Sequence, residues 1–238
     1  MKRTLMALVL AATAGLTDAQ TTAGPSGAKT AGGLAVAPTL SDASAANAQA
    51  RLGGAAYRQA RHADALTHFR RAALAGHALA QFNLAVMLID GIGTRPDPQH
   101  GVSWLRKSAE NGYVGAQTTL AALLERGEHV ARSLPEASAW YRRAAEQGSR
   151  DARVELATNY LLGRGVPQSD AAAALWYQRA AGQGDAGACY IIASLYEKGH
   201  GVPQDLERAA FWYDQAARRG ERGAAEMAQA MRERGESI

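Results

Sequence analysis

The residues of this chain that could carry out chemistry are six histidines, one cysteine and scattered acids. The histidines are His62, His68, His77, His100, His129 and His200, and no two of them are three or four residues apart. Metal ligands on one helix face need such a spacing, and no Cys or carboxylate cluster completes a site. Cys189 stands in an apolar stretch, where a buried thiol is unreactive. The sequence therefore predicts no catalytic residue, no metal site and no cofactor.

Three Gly-x-Gly motifs are the next candidates, at Gly91–Gly93, Gly163–Gly165 and Gly199–Gly201. A phosphate-binding loop would need a preceding strand and a longer glycine pattern, and neither accompanies these motifs. Glycine is instead favoured where a helix ends in a left-handed residue. The residues that follow in register are all good helix N-caps, namely Asp97, Ser133, Ser169 and Asp205. These loops are predicted to end one helix and begin the next.

A period of 36 residues organises the chain. Its four tryptophans are Trp104, Trp140, Trp176 and Trp212, and a glycine closes each unit at Gly112, Gly148, Gly184 and Gly220. In each unit a Leu-Ala or Ile-Ala pair lies in a first helical pattern, and the tryptophan and later alanines or a serine lie in a second one. A fixed period of this length is typical of a solenoid of stacked helix pairs.

With these units, the Gly-x-Gly-Val-Pro-Gln loop and the Trp-Tyr-x-x-Ala-Ala helix, the chain resembles the Sel-one-like repeat family. The segment from Leu52 to Ala73 resembles a tetratricopeptide repeat, through Leu52-Gly53, Tyr57, Ala65 and Phe69. The resemblance implies an all-α fold, a right-handed α/α superhelical solenoid. We expect a first repeat at residues 48–76, four repeats at 77–220, and a capping helix and tail at 221–238. The loop Gly127-Glu128-His129 lacks the second glycine, so we expect its shape to differ.

The N-terminal segment has the features of an export signal. Lys2 and Arg3 precede an apolar run, and small residues at Ala19, or at Ala14, offer a cleavage site. Residues 1–19 are therefore predicted to be a signal peptide. Residues 20–47, rich in Ala, Gly, Ser, Thr and Pro, are predicted to be a disordered linker. The protein is expected in the periplasm or outside the cell.

Composition narrows the kinds of partner. The chain has 26 Lys and Arg against 22 Asp and Glu, a net charge of +4, and its basic residues are spread over every repeat. A nucleic-acid-binding protein needs a clustered basic face, so no nucleic acid is expected. The apolar run near the N-terminus is shorter than the roughly 20 residues that cross a bilayer, so no membrane span is expected. We expect a monomer.

The resemblance to tetratricopeptide arrays implies that the first helix of each pair lines a concave, partner-binding surface. Carried onto this sequence, it nominates Tyr57, Phe82, Val86, Thr118, Glu125, Val154, Thr158, Tyr190, Ser194 and Glu197. Such an apolar and aromatic surface with acids at its rim suits a peptide or protein partner. The alternative is that Phe82, Val154 and Tyr190 only pack between repeats.

The predicted function is therefore that of an exported, non-enzymatic scaffold or adaptor. The resemblance also raises hydrolysis of β-lactams, proposed for cysteine-rich relatives. Those relatives have a cysteine pair in each repeat, and this chain has a single cysteine, which disfavours that activity. A periplasmic regulator of a sensor or exopolysaccharide system and a secreted host-interaction factor remain open alternatives.

Overall fold

The computed structural model describes residues 40–236, in which every regular element is an α-helix. The predicted signal peptide and most of the predicted linker lie outside these residues. The chain divides into two compact units after Ala116. The first unit contains α1 (Leu40–Arg58), α2 (His62–Leu74), α3 (Ala78–Asp90) and α4 (Pro98–Glu110), and α5 (Val114–Arg126) crosses the boundary. The second contains α6 (Leu134–Glu146), α7 (Arg150–Leu162), α8 (Asp170–Ala181), α9 (Ala186–Lys198), α10 (Leu206–Ala217) and α11 (Ala224–Glu236).

Within each unit the helices follow one another as tandem pairs. In the first unit α1 packs on α2, α2 on α3 and α3 on α4, and in the second each helix from α6 to α11 packs on the next. The cores consist largely of small and aliphatic side chains, such as Ala85, Ala157 and Leu156, which have no exposed surface. Small residues allow close helix contacts. The predicted all-α fold of helix-pair repeats is confirmed.

The first helix starts earlier than the sequence predicted. It begins at Leu40, so residues 40–47, which the composition placed in the linker, are helical. Ala46 and Ala50 are buried, and the Gln49 side-chain oxygen is 2.8 Å from Nδ1 of His68 on α2. Alanine is the best helix former. An alanine-rich segment therefore extends the helix once α2 covers one of its faces.

The loop between the two helices of a repeat has the same backbone in all four copies. Each first helix ends at a left-handed glycine, with φ between 66° and 71° at Gly91, Gly127, Gly163 and Gly199. The N-cap residue then donates its backbone N–H to a carbonyl in the last turn of that helix, as Asp205 does to Tyr196 at 3.0 Å. The side chains of Asp97, Ser133, Ser169 and Asp205 also accept the predicted N-cap hydrogen bonds.

The loop at Gly127-Glu128-His129 does not differ in shape, so that expectation is wrong. His129 has a φ of 61°, close to the 69° and 72° of Gly165 and Gly201 at the equivalent position. The backbone N–H of Ser133 donates to Leu124 at 2.9 Å, as its counterparts do in the other repeats. The helices on either side set this backbone, and His129 accepts a left-handed conformation that glycine adopts without strain.

The second glycine of each Gly-x-Gly motif meets the backbone of the preceding repeat. A Cβ added to Gly165 would lie 2.2 Å from the Leu134 carbonyl oxygen, and one added to Gly201 would lie 2.2 Å from the Asp170 carbonyl carbon. Gly93 approaches the His62 carbonyl in the same way, at 2.6 Å. Glycine is therefore required here by close approach as well as by conformation. The sequence predicted only the need for a left-handed conformation, and not the close approach.

The last helix covers the end of the second unit. Ala224, Ala228 and Met231 of α11 are buried, while most of its charged residues are exposed. From residue 40 to residue 236, no helix is both long enough and apolar enough to span a membrane.

Candidate functional site

The nominated residues of the first unit are buried. Tyr57 lies at the end of α1, and Phe82 and Val86 lie on α3; the latter two have no exposed surface. The Phe82 ring packs against Tyr113, with ring centroids 5.1 Å apart. Phe82 and Val86 therefore contribute to packing, as the alternative reading of Phe82 allowed, and a partner cannot reach them in this structure. Tyr57 is also a packing residue, since only 5% of it is exposed.

The nominated residues of the second unit are all partly exposed. Thr118 and Glu125 lie on α5, Val154 and Thr158 on α7, and Tyr190, Ser194 and Glu197 on α9. Each is half-buried, so each rests on the fold with one side and presents the other to solvent. Only in this unit does the nominated set form an accessible surface.

Three nominated residues of α9 meet at one tyrosine of α10. The Tyr213 hydroxyl donates to Glu197 Oε2 at 3.0 Å and hydrogen-bonds with Ser194. The Tyr190 ring packs edge-on against it, with centroids 5.1 Å apart. Burial raises the pKa of Tyr213, and Glu197 raises it further, because a phenolate would be desolvated beside a carboxylate. Tyr213 is therefore a neutral hydrogen-bond donor that orients the surface residues.

The same tyrosine position serves the other repeats of this unit. The Tyr141 hydroxyl donates to Glu125 Oε2 at 3.2 Å, and the Tyr177 hydroxyl lies 2.8 Å from Thr158 Oγ1. The sequence places Tyr141, Tyr177 and Tyr213 in the second helix of each repeat, and their hydrogen bonds to the first helix were not predicted. Glu125 and Glu197 stand at the same repeat position before Tyr141 and Tyr213, and this shared register was the signal that could have revealed two of the three bonds.

Two of the acids near Tyr141 influence each other. Glu155 is an exposed residue whose pKa is raised above its ordinary value, first by partial desolvation and then by Glu125 and Asp151, while Arg164 acts in the opposite direction. Glu125 also has its backbone carbonyl bound by Arg132 Nε at 2.9 Å. Burial raises the pKa of the Tyr141 hydroxyl, and Glu155 of α7 and Glu125 of α5 both raise it further, while Arg126 lowers it.

Cys189 occupies a structural position. Its buried thiol donates to the Ala181 carbonyl at 3.7 Å, and burial raises the pKa of the thiol. One repeat earlier, Arg153 makes the equivalent contact, from its Nε to the Ala145 carbonyl at 3.1 Å. A thiol held in its protonated form is a weak nucleophile. Within the described part of the chain, no group of three His, Cys, Asp or Glu residues could hold a metal ion.

Comparison with known proteins is consistent with this architecture. The family model described as Sel1 repeat matches residues 78–113, 114–149, 150–185 and 186–221. These repeats start one residue later than the units predicted from the glycine period. No curated protein matches the chain significantly.

Two solved structures resemble the chain in both sequence and fold. A protective antigen of uropathogenic Escherichia coli with an SLR fold is 33% identical, with a TM-score of 0.68 over 74% of this chain and 38% of that one. A Sel1 repeat protein from Oxalobacter formigenes is 32% identical, with a TM-score of 0.66 over 74% of both chains. The chain thus spans well under half of the E. coli protein.

Proposed function

The chain belongs to the Sel1 repeat family, and from this premise we propose that it is an exported, non-enzymatic scaffold that binds a protein or peptide partner. Members of this family are generally protein–protein interaction scaffolds. The proposal of export rests on the sequence of residues 1–19, with its basic start, apolar run and small residues before Gln20.

The observation that carries the binding proposal is the difference in exposure along one repeat position. Phe82, Val154 and Tyr190 are equivalent, yet Phe82 is buried and the other two are partly exposed. Exposed apolar and aromatic side chains backed by ordered tyrosines are typical of binding surfaces, because rigid side chains lose little entropy on binding. We therefore place partner binding on Val154, Thr158, Tyr190 and Ser194, flanked by Thr118, Glu125 and Glu197.

This proposal allows two kinds of protein partner. If the chain is a periplasmic regulator of a sensor or exopolysaccharide system, its partner is a protein of that system. A host protein is the other, and the resemblance to a protective antigen favours it as a second candidate. Hydrolysis of β-lactams is disfavoured, because the chain has a single cysteine, which is buried, where the relatives proposed to hydrolyse them have a cysteine pair in each repeat.

The test is affinity capture on the purified, immobilised chain, followed by identification of the retained protein and measurement of its Kd. Replacing Val154 and Tyr190 by alanine is expected to weaken binding at least tenfold, since anchors of this kind contribute about 1–2 kcal/mol each or more. Phe211→Ala is the matched control, because Phe211 is a similar ring that is 53% exposed on the second helix of its repeat.

The same two variants can also contradict the proposed binding surface. Loss of binding in Phe211→Ala, with binding intact in the V154A/Y190A variant, would place the partner on the second helices and overturn this surface. Circular dichroism of each variant distinguishes loss of binding from loss of folding. A β-lactam hydrolysis assay on the same preparation tests the enzymatic alternative.

A further inference from the structure

Two acids of the second unit occupy the same place in their repeats. Glu125 and Glu197 lie two repeats apart, and each accepts a tyrosine hydroxyl, from Tyr141 at 3.2 Å and from Tyr213 at 3.0 Å. A loop side chain binds the backbone carbonyl of each, Arg132 in one case and Gln204 in the other, both at 2.9 Å. The local frame around the two carboxylates is therefore the same.

One contact distinguishes the two acids. Arg234 of α11 donates through Nη1 to Glu197 Oε1 at 2.9 Å, so both oxygens of Glu197 are bound and its side chain is only 15% exposed. The residue equivalent to Arg234 two repeats earlier is Leu162, at the end of α7. The leucine side chain has no hydrogen-bond donor that could bind a carboxylate. Leu162 is instead 53% exposed, an unusual place for a large aliphatic side chain.

The charges around Glu125 favour a cation there. The pKa of Glu155 is raised in part by Glu125, which reflects repulsion between two carboxylates. The nearby bases are Arg126, which pairs with Glu128 at 3.2 Å, Arg132, which binds the Glu125 carbonyl, and Arg164, which offsets Glu155. A cation that paired with Glu125 would weaken the repulsion between Glu125 and Glu155.

We propose that Glu125 and Leu162 together bind an arginine or lysine side chain of the partner, next to an apolar residue of the same segment. The chain supplies its own example of this recognition, since Arg234 makes the equivalent contact with Glu197. Leu162 packs against the apolar neighbour and the methylene groups of the basic side chain, as aliphatic surfaces do with long cationic residues. The inference rests on the proposed scaffold function and specifies the partner chemistry.

The experiment uses four pools of eight-residue peptides that differ only at a fixed central residue, which is arginine, lysine, citrulline or glutamate, with leucine two residues away. Fluorescence anisotropy measures binding to the full chain. We expect the arginine pool to bind about fivefold more tightly than the citrulline pool, the range of a partly exposed ion pair. The lysine pool should follow arginine, and the glutamate pool should bind most weakly.

Two variants test the assignment to this site. Glu125→Gln retains an acceptor for the Tyr141 hydroxyl and removes the charge, so the preference for arginine over citrulline should disappear. Leu162→Arg copies Arg234 and should remove the same preference by occupying Glu125 from within the chain. Glu197→Gln is the matched control and should leave the preference intact, because Arg234 already covers that carboxylate.

The outcomes separate this inference from the proposed function. Equal binding of the arginine and citrulline pools, or an arginine preference that survives in both E125Q and L162R, would overturn the basic-segment site. In that case, sensitivity of all pools to V154A/Y190A would leave the scaffold function standing. Absence of binding by every pool and by the captured partner would overturn both.

Discussion

The repeats at residues 77–112 and 185–220 have side chains of different character at the same four positions. In the first of them, these positions hold buried apolar side chains, namely Phe82, Val86, Ile89 and Leu105. In the last they hold a connected polar group, namely Tyr190, Ser194, Glu197 and Tyr213. Yet the loops of both repeats have the same left-handed glycines and the same N-cap hydrogen bonds.

This difference shows which parts of a repeat determine its backbone and which parts are free to vary. Glycine conformation, backbone hydrogen bonds and capping side chains hold both repeats in one geometry, and none of these involves the four positions. Those positions are then free to be packed or to present polar groups. In the last repeat, the tyrosine of the second helix replaces a leucine and orients its neighbours through its hydroxyl.

The largest effect is expected where the four positions are packed. Phe82→Ala should lower the free energy of unfolding by about 3–5 kcal/mol, because it leaves a cavity in a fully buried site. Tyr190→Ala, at the equivalent position, should cost about 1–2 kcal/mol, because this residue is partly exposed. Urea denaturation followed by circular dichroism measures both. Equal losses would mean that the two positions are packed alike and would remove the contrast.

A smaller effect is expected from the tyrosine hydroxyl of the polar group. Tyr213→Phe should cost about 1–2 kcal/mol, because it removes a donor to a carboxylate in a nearly buried place. Tyr177→Phe is the matched control, since that hydroxyl bonds the neutral Thr158, and it should cost about 0.5–1 kcal/mol. A Tyr213→Phe variant as stable as the native chain would show that the hydroxyl plays no part in holding Glu197.

The smallest effect concerns pH and the N-cap of the first helix in each repeat. His77 caps α3 by accepting the Ala80 N–H at Nδ1, while Asp185 caps α9 in the equivalent place. Burial lowers the pKa of His77 below its ordinary value of 6.5. As pH falls below that value, the unfolded chain takes up a proton before the folded one does, so this contribution to stability is complete above pH 6.5 and is lost below it.

His77→Asp copies the cap of the last repeat and should reduce the loss of stability between pH 7 and pH 5. The measurement is the urea midpoint of native and variant chains at both pH values, which cancels contributions that the two chains share. An unchanged difference between the two pH values would show that the neutral imidazole of His77 is not the group that titrates.

The sequence was sufficient to predict the features that repeat. The period, the helix pairs, the glycine ends and the polar caps follow from residue types at fixed spacing, because each has a local physical cause. The burial of Phe82 and Val86 could not be predicted in this way, since the same repeat positions are buried in one unit and accessible in the other. Burial depends on which helices cover a face, and a single repeat does not contain that information.

Two other differences also arise from neighbours. The loop at His129 keeps the common backbone because its flanking helices impose it, although its sequence departs from the motif. The residues before Ala48 form a helix because α2 provides a surface for their alanines. The hydrogen bond of Tyr213 could not be predicted from its repeat position alone, because its acceptor Glu197 lies on the preceding helix and the pairing depends on how the two helices pack.

The second glycine of the loop has a consequence for how such a chain evolves. Gly93, Gly165 and Gly201 meet the main chain at His62, Leu134 and Asp170, three residues with unrelated side chains. Because these contacts are made with main-chain atoms, they do not depend on which side chains the preceding repeat carries. A gene segment encoding one of the three repeats with this glycine could therefore be copied, deleted or exchanged with the junction intact, whereas the repeat with His129 lacks that glycine.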